Sequence, residues 1–372
     1  MLEAKSLRKA RIPSSLLPNP SPGHLQSTRL AVHVDDVAST CSAFVASGCH
    51  VYKIEQISSE ESTVVKGKES LLIPVQAQVV NSSLVDRCPH RSEIQSIALA
   101  EKDGDDCLVM GSVDSYGHLI VSRLDTIGSD FDRLSYSVPP RHCGIWESSW
   151  AGICFSPVCW STAAVAHSFS KSINVYDQDI HLRSLRTLWY PASFSFLQSS
   201  LAADTSSILI VAEGSQLSVW DLRTNSNNGC VQRVCGAIGD LIYAVCSSPS
   251  GPIAASGSDR TVTIYDPRRW SALSRWVNCS KYEITGLSFS SLDDGYIYVQ
   301  GADYEISCGQ WRDNKKRFAF RGDSNWLGFS KFNEANNGGA LSEEETNPIQ
   351  EMTRTPLLLL FLIVLLLLLL CC

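Results

Sequence analysis

Apolar residues along this chain come in bursts of five or six, broken by Gly, Ser, Asp and Asn, and the bursts themselves recur. Ile208-Leu209-Ile210-Val211-Ala212-Glu213-Gly214 leads to Leu217-Ser218-Val219-Trp220-Asp221. Ile253-Ala254-Ala255-Ser256-Gly257-Ser258-Asp259 leads to Val262-Thr263-Ile264-Tyr265-Asp266, and a weaker copy ends in Ile173-Asn174-Val175-Tyr176-Asp177. The closing aspartates are 44 and 45 residues apart. Looser copies follow at Tyr296 to Asp303 and precede at Cys107 to Asp114 and Ala43 to Gly48. A phrase at a fixed period marks one supersecondary unit used repeatedly.

A further apolar run opens most units: Ile94 to Leu99, Ala151 to Phe155, Ile242 to Cys246 and Ile284 to Phe289. Three of these are followed directly by Ser, twice with Pro shortly after, which cannot donate to a central ladder and so marks a turn. Each unit reads as strand, turn, strand, tight turn, strand, with a fourth strand in the more variable stretch beyond. Four strands per roughly 40–45 residues is a β-propeller blade. The fold class is therefore all-β, with six recognisable blades plus the start of a seventh.

The phrases Val219-Trp220-Asp221, and Ala255 to Asp259 with Ile264-Tyr265-Asp266, resemble the WD40 repeat family in degenerate form, over about residues 30–332. The family's Gly-His pair is missing from most units. Its buried Asp–His–Ser–Trp relay is therefore not expected to be complete.

Outside the repeats the pattern changes. Residues 1–27 hold Pro13, Pro18, Pro20, Pro22 and Gly23 and read as a flexible leader; residues 28–332 form the propeller. Glu69 to Val75 reads as the first blade's outer strand, while Ser129 to Gly144 and Arg312 to Arg317 read as inter-blade loops. Trp326 to Phe332 reads as the first strand of a further blade. Two closures fit: seven blades with most of the last missing, or six closed by an N-terminal strand such as Leu30 to Val34. Residues 333–355 read as a disordered polar linker and 356–372 as a Leu-rich apolar helix. Leu357 to Leu370 is wholly apolar; with Cys371 and Cys372 it would reach roughly 24 Å as a helix, against about 30 Å of bilayer core. Leu357, Leu362 and Leu370 would be membrane contacts of a short tail anchor. The other reading is an alternative C-terminus that replaces the final blade.

Composition narrows the function class. A formal net charge of −7 argues against general nucleic-acid binding, which needs a basic face. The 14 cysteines sit mostly in apolar runs with no secretory signal ahead of them, which suits reduced thiols in a cytoplasmic or nuclear protein. Membrane association would follow only if the tail inserts. Cys and His spacings give no zinc pattern, so no metal is expected. Serine-hydrolase elbow, P-loop, metalloprotease and dinucleotide motifs are absent, so no catalytic residue, cofactor or small-molecule substrate is expected. His90, His118, His142 and His167 read as satisfied loop or strand histidines, and Asp114 as a turn former.

Two sites stand out. Val219-Trp220-Asp221-Leu222-Arg223 and Ile264-Tyr265-Asp266-Pro267-Arg268 both give aromatic-Asp-x-Arg. In the WD40 family this resembles the box through which substrate receptors dock on the DDB1 adaptor of cullin-4 ubiquitin ligases. The resemblance implies partner binding through Trp220, Asp221, Arg223, Tyr265, Asp266 and Arg268. A planar guanidinium just past a strand end would offer a fork to carboxylates or carbonyls. The expected function is a non-enzymatic scaffold for protein–protein interactions, in its narrow form a cullin-4 substrate receptor. A membrane-tethered adaptor and an enzyme using the propeller channel are the alternatives.

Overall fold

The computed structural model describes residues 6–13, 15–16, 28–35, 40–58, 65–67, 71–85, 90–101, 107–125, 133–140, 149–198, 207–224, 226–236, 239–290, 293–322, 326–331 and 362–368. Among these, one 3-10 turn, Ser226–Gly229, interrupts an otherwise all-β chain. Six blades follow one another, each with four antiparallel strands in chain order from the centre outward. The first is Leu30–Asp35, Thr40–Ser47, His50–Ser58 and Val75–Leu84, and the second Ile94–Glu101, Cys107–Asp114, Leu119–Asp125 and Arg133–Val138. The third is Ala151–Phe155, Thr162–His167, Ser172–Asp177 and Ile180–Arg186, and the fourth Pro191–Phe196, Ile208–Glu213, Gln216–Asp221 and Cys230–Cys235. The fifth is Ile242–Ser247, Ile253–Gly257, Val262–Asp266 and Ser271–Trp276, and the sixth Ile284–Phe289, Tyr296–Gly301, Glu305–Gln310 and Lys315–Arg321.

The recurring phrase is the second and third strand of each blade. Ile253–Gly257 and Tyr296–Gly301 are buried at every position because a blade lies against each of their faces. Such strands read as unbroken apolar or small runs rather than alternating ones. Outer strands are edges, and Cys230–Cys235 is exposed at most positions. The core is divided accordingly into clusters shared by neighbouring blades. Trp220 packs with Ile173, Val175 and Leu185 of the third blade, and Trp276 and Ile264 of the fifth pack with Ile297 and Trp311 of the sixth.

The N-terminal reading needs correction. Ser6–Ile12, expected within a flexible leader, is a strand, with Leu7 and Ile12 buried. It pairs in parallel with Val75–Leu84, which extends the first sheet. Leu7 and Leu72 cover the outward face of the sixth blade, where Tyr296, Tyr298, Phe318 and Phe320 would otherwise meet water. That is the physical reason a Pro-rich leader still contains a strand: the last blade has an apolar face to bury. Trp326–Lys331 lies beside Leu30–Asp35, the first blade's inner strand. Leu362–Leu368, inside the segment read as a helix, forms a strand that pairs with Ser6–Ile12 and Trp326–Lys331. The linker and the rest of the tail, including Leu357 and Leu370, lie outside the described residues.

Three smaller expectations change. The first blade's outer strand is Val75–Leu84 rather than 69–75, since Pro74 cannot join the ladder. Within Ser129 to Gly144, Arg133–Val138 is the second blade's outer strand. Arg312 to Arg317 runs into the sixth blade's outer strand, so its turn lies inside a blade.

Candidate functional site

Antiparallel order gives the propeller two rims. Turns from first to second and from third to fourth strand fall at one rim. Second-to-third turns and the connections between blades fall at the other. Both aromatic-Asp-x-Arg boxes end a third strand, so they share the first rim, on the adjacent fourth and fifth blades. In both blades the pairing of third with fourth strand slips by one residue beside the aromatic, at Val219/Trp220 and Ile264/Tyr265. Such a bulge adds local twist and re-aims the turn beyond it.

The aspartates act alike. Asp221 Oδ1 accepts the Arg223 backbone N–H at 2.9 Å, and Asp266 Oδ1 accepts that of Arg268 at 2.9 Å. The arginines differ. Arg223 Nε and Nη2 each donate to Asp221 at 3.0 Å, closing a fork on its own turn. This holds the Asp221 carboxyl below its ordinary range. The turn is also braced from the third blade, where Arg183 Nη1 donates to the carbonyls of Leu222 and Thr224. Arg268 is exposed, and among the described residues its guanidinium makes no hydrogen bond. Trp220 is 1% exposed, with Nε1 donating to Ser218 Oγ at 2.9 Å, so it holds the blade and cannot meet a partner. Tyr265 packs partly buried against the fourth-to-fifth blade core, and burial raises its phenol above the usual range. The box thus separates into core aromatics, turn aspartates and two rim arginines.

The opposite rim carries a feature that sequence reading missed. Leu188, Trp189 and Tyr190 connect the third blade to the fourth, Leu241 connects the fourth to the fifth, and Val277 and Tyr282 connect the fifth to the sixth. All six are large, apolar or aromatic, and exposed, at 46–57% of their surface. Trp189 is positioned by its backbone N–H, which donates to the buried Glu213 carboxylate at 2.9 Å. Its ring lies over the turn glycine Gly214, which has φ of +57° and no room for a Cβ. Lys171 sits 4.7 Å above the Tyr190 ring and Lys281 sits 5.3 Å above that of Tyr282. The available signal was an aromatic run, Leu188-Trp189-Tyr190-Pro191, in the stretch between the phrases closed by Asp177 and Asp221.

On the same rim, the second blade holds a buried polar cluster. His90 Nε2 lies 2.8 Å from Ser112 Oγ, and its Nδ1 lies 3.3 Å from Asp114 Oδ2. Asp114 Oδ1 accepts the backbone N–H groups of Tyr116 and His118 at 3.0 Å each, so it is the turn former expected. Three members of an Asp–His–Ser relay are therefore present in this blade. His90 supplies the histidine from the preceding connection without a glycine before it. His167 bonds Ser170 Oγ and the Ser115 carbonyl. His142 lies outside the described residues.

A cavity of about 790 Å³ opens among the inner strands, at the rim that carries the boxes. Among the described residues its lining includes Phe155, Trp160, Phe196, Cys154 and His33 but no carboxylate, ammonium or guanidinium group. No family model matches the chain, and no curated protein matches it significantly.

Proposed function

We propose that the chain is a non-enzymatic scaffold that holds protein partners on the two rims of a WD40-like propeller. The observation that carries this reading is the exposed arc Leu188, Trp189, Tyr190, Leu241, Val277 and Tyr282, which crosses three successive blade junctions. Contiguous exposed apolar surface marks an interaction site, and Trp and Tyr are the side chains most often dominant in one. Substituting Trp189→Ala and Tyr190→Ala together should remove the partners that co-purify with the chain while leaving its melting temperature within a few degrees. Unchanged co-purification would defeat the reading.

The narrower form is a substrate receptor of a cullin-4 ligase, docked on DDB1 through Arg223 and Arg268. Support comes from the paired turns at Asp221 and Asp266 on adjacent blades. It also comes from their separation from the aromatic arc, which leaves one rim for the ligase and the other for cargo. Arg268 has its donors available, whereas Arg223 is held in place by Asp221. Co-precipitation of DDB1 should fall strongly for Arg268→Ala and further for the double variant with Arg223→Ala. Equal recovery from wild type and double variant sinks the ligase form and leaves the general scaffold standing.

A further inference from the structure

We propose that His90, Asp114 and His118 form a binding site for one divalent first-row transition-metal cation, Zn²⁺ being the best fit. Among the described residues these three bring their ligand atoms within 4.8 Å of one another. Asp114 Oδ2 lies 3.3 Å from His90 Nδ1 and 3.9 Å from His118 Nδ1. Around tetrahedral zinc with bonds of roughly 2.05 Å, neighbouring donors are about 3.4 Å apart. Of the three edges, Asp114–His90 already has that length, Asp114–His118 needs a closure of about half an ångström, and the two histidine donors, within 4.8 Å of each other, close with a turn of the partly exposed His118 ring. The 3.3 Å contact is also long for a charge-assisted hydrogen bond, which normally spans about 2.7–2.9 Å.

The surroundings of the donors favour a cation at their centre. Each imidazole uses its far nitrogen on a hydroxyl: His90 Nε2 on Ser112 Oγ at 2.8 Å, and His118 Nε2 on Ser137 Oγ at 2.7 Å. A cation would take the place of the proton that the relay puts between His90 Nδ1 and Asp114, leaving each Nε2–H to donate outward to its serine hydroxyl and both Nδ1 lone pairs to face the ion beside Asp114 Oδ2. This is the outer-sphere arrangement that orients metal-binding histidines. The carboxylate is divided in the same way. Oδ1 is taken by the turn N–H groups of Tyr116 and His118, and Oδ2 is turned to the histidines. Asp114 and His90 side chains are at most 1% exposed, and no ion pair of Asp114 with Lys or Arg is present among the described residues. Burying a carboxylate without a full countercharge is costly, and a divalent cation between two neutral imidazoles removes that cost. The His118 side chain is 19% exposed, which leaves an approach for the ion and a position for water as fourth ligand. Sequence spacing hid the site because its donors bracket a blade: His90 enters from the preceding connection, while Asp114 and His118 flank a turn.

The test is titration of ZnCl₂ into the EDTA-treated full chain by calorimetry, with Co²⁺ absorption as a second readout. His118→Ala is the informative variant, because it removes a donor but keeps the buried His90–Asp114–Ser112 network. Melting in EDTA should then match the wild type and show that the variant folds. The expected result is one Zn²⁺ per wild-type chain, a tetrahedral Co²⁺ spectrum without a thiolate charge-transfer band, and affinity at least roughly tenfold weaker in His118→Ala. No stoichiometric binding, equal affinity in the variant, or a thiolate band that assigns the ion to cysteines would each overturn the proposal.

Discussion

Leu7→Ala tests whether the N-terminal strand seals the sixth blade. Leu7 is 1% exposed and packs in one cluster with Leu72, Tyr298, Ile306, Phe318 and Phe320. Burying a leucine is worth about 1.5–3 kcal/mol, and truncation adds a cavity penalty that brings core Leu→Ala changes to roughly 2–5 kcal/mol. Ser6–Ile12 is paired along its whole length with Leu362–Leu368 and over Arg8 to Arg11 with Val75 to Gln78, so its backbone is held on both sides and does little to shrink the cavity. The expected loss is therefore in the middle of that range, about 3–4 kcal/mol. Urea unfolding measures it as a shift of midpoint at constant slope. Phe320→Ala, on the blade side of the same cluster, should cost about 3–5 kcal/mol. If Leu7→Ala falls within about 0.5 kcal/mol of wild type, the level of a surface change, while Phe320→Ala is severe, then the strand does not seal the blade.

Other expectations are more local. Gly309→Ala would drive a methyl into the Trp276 ring and the Lys315 carbonyl, and should destabilise by about 1–3 kcal/mol in the same urea assay. In Arg223→Ala the Asp221 carboxyl should titrate at higher pH by NMR, since its depressed pKa comes first from that guanidinium. A carboxyl depressed in the folded state stabilises above its unfolded pKa of about 3.9 and loses that contribution as pH falls through the folded value. The wild-type advantage should therefore be present at neutral pH, at the roughly 0.2–1 kcal/mol scale of exposed pairs, and vanish in acid. Thiol reagents should modify exposed Cys159 and Cys235 well before Cys154, Cys279 and Cys308 when followed by peptide mass spectrometry. Burial pushes the Cys279 thiol up to about 12 and also raises Cys154. If the Leu357 to Leu370 run anchors the chain, carbonate-washed cell membranes should retain it; complete release would remove the tether reading.

The blades are legible in the sequence where two faces are buried. Ile208 to Asp221 and Ile253 to Asp266 announce themselves because neighbouring sheets demand apolar or small residues at every position. Pro191–Phe196 escapes recognition, since a strand opening on Pro and carrying Ser193 and Ser195 imitates a turn. Outer strands such as Arg133–Val138 read as loops because an edge constrains one face at most. At the candidate sites, spacing locates Asp221, Arg223, Asp266 and Arg268 but does not reveal that Trp220 faces inward. The six exposed rim residues come from connections that share no sequence phrase, and only the blade order places those connections on one rim.

Cores shared between blades also bear on how such a chain can drift. Trp276 of the fifth blade lies against Gly309 of the sixth, so the bulk in one repeat is matched by its lack in the next. Fitness of a residue is then set by the unit beside it rather than by a repeat-wide consensus. Pairs of neighbours can depart together from any common motif while the ring keeps its geometry. A propeller built this way preserves architecture while erasing the signature by which repeats are recognised, as expected of a chain whose blades are regular and whose sequence matches no family model.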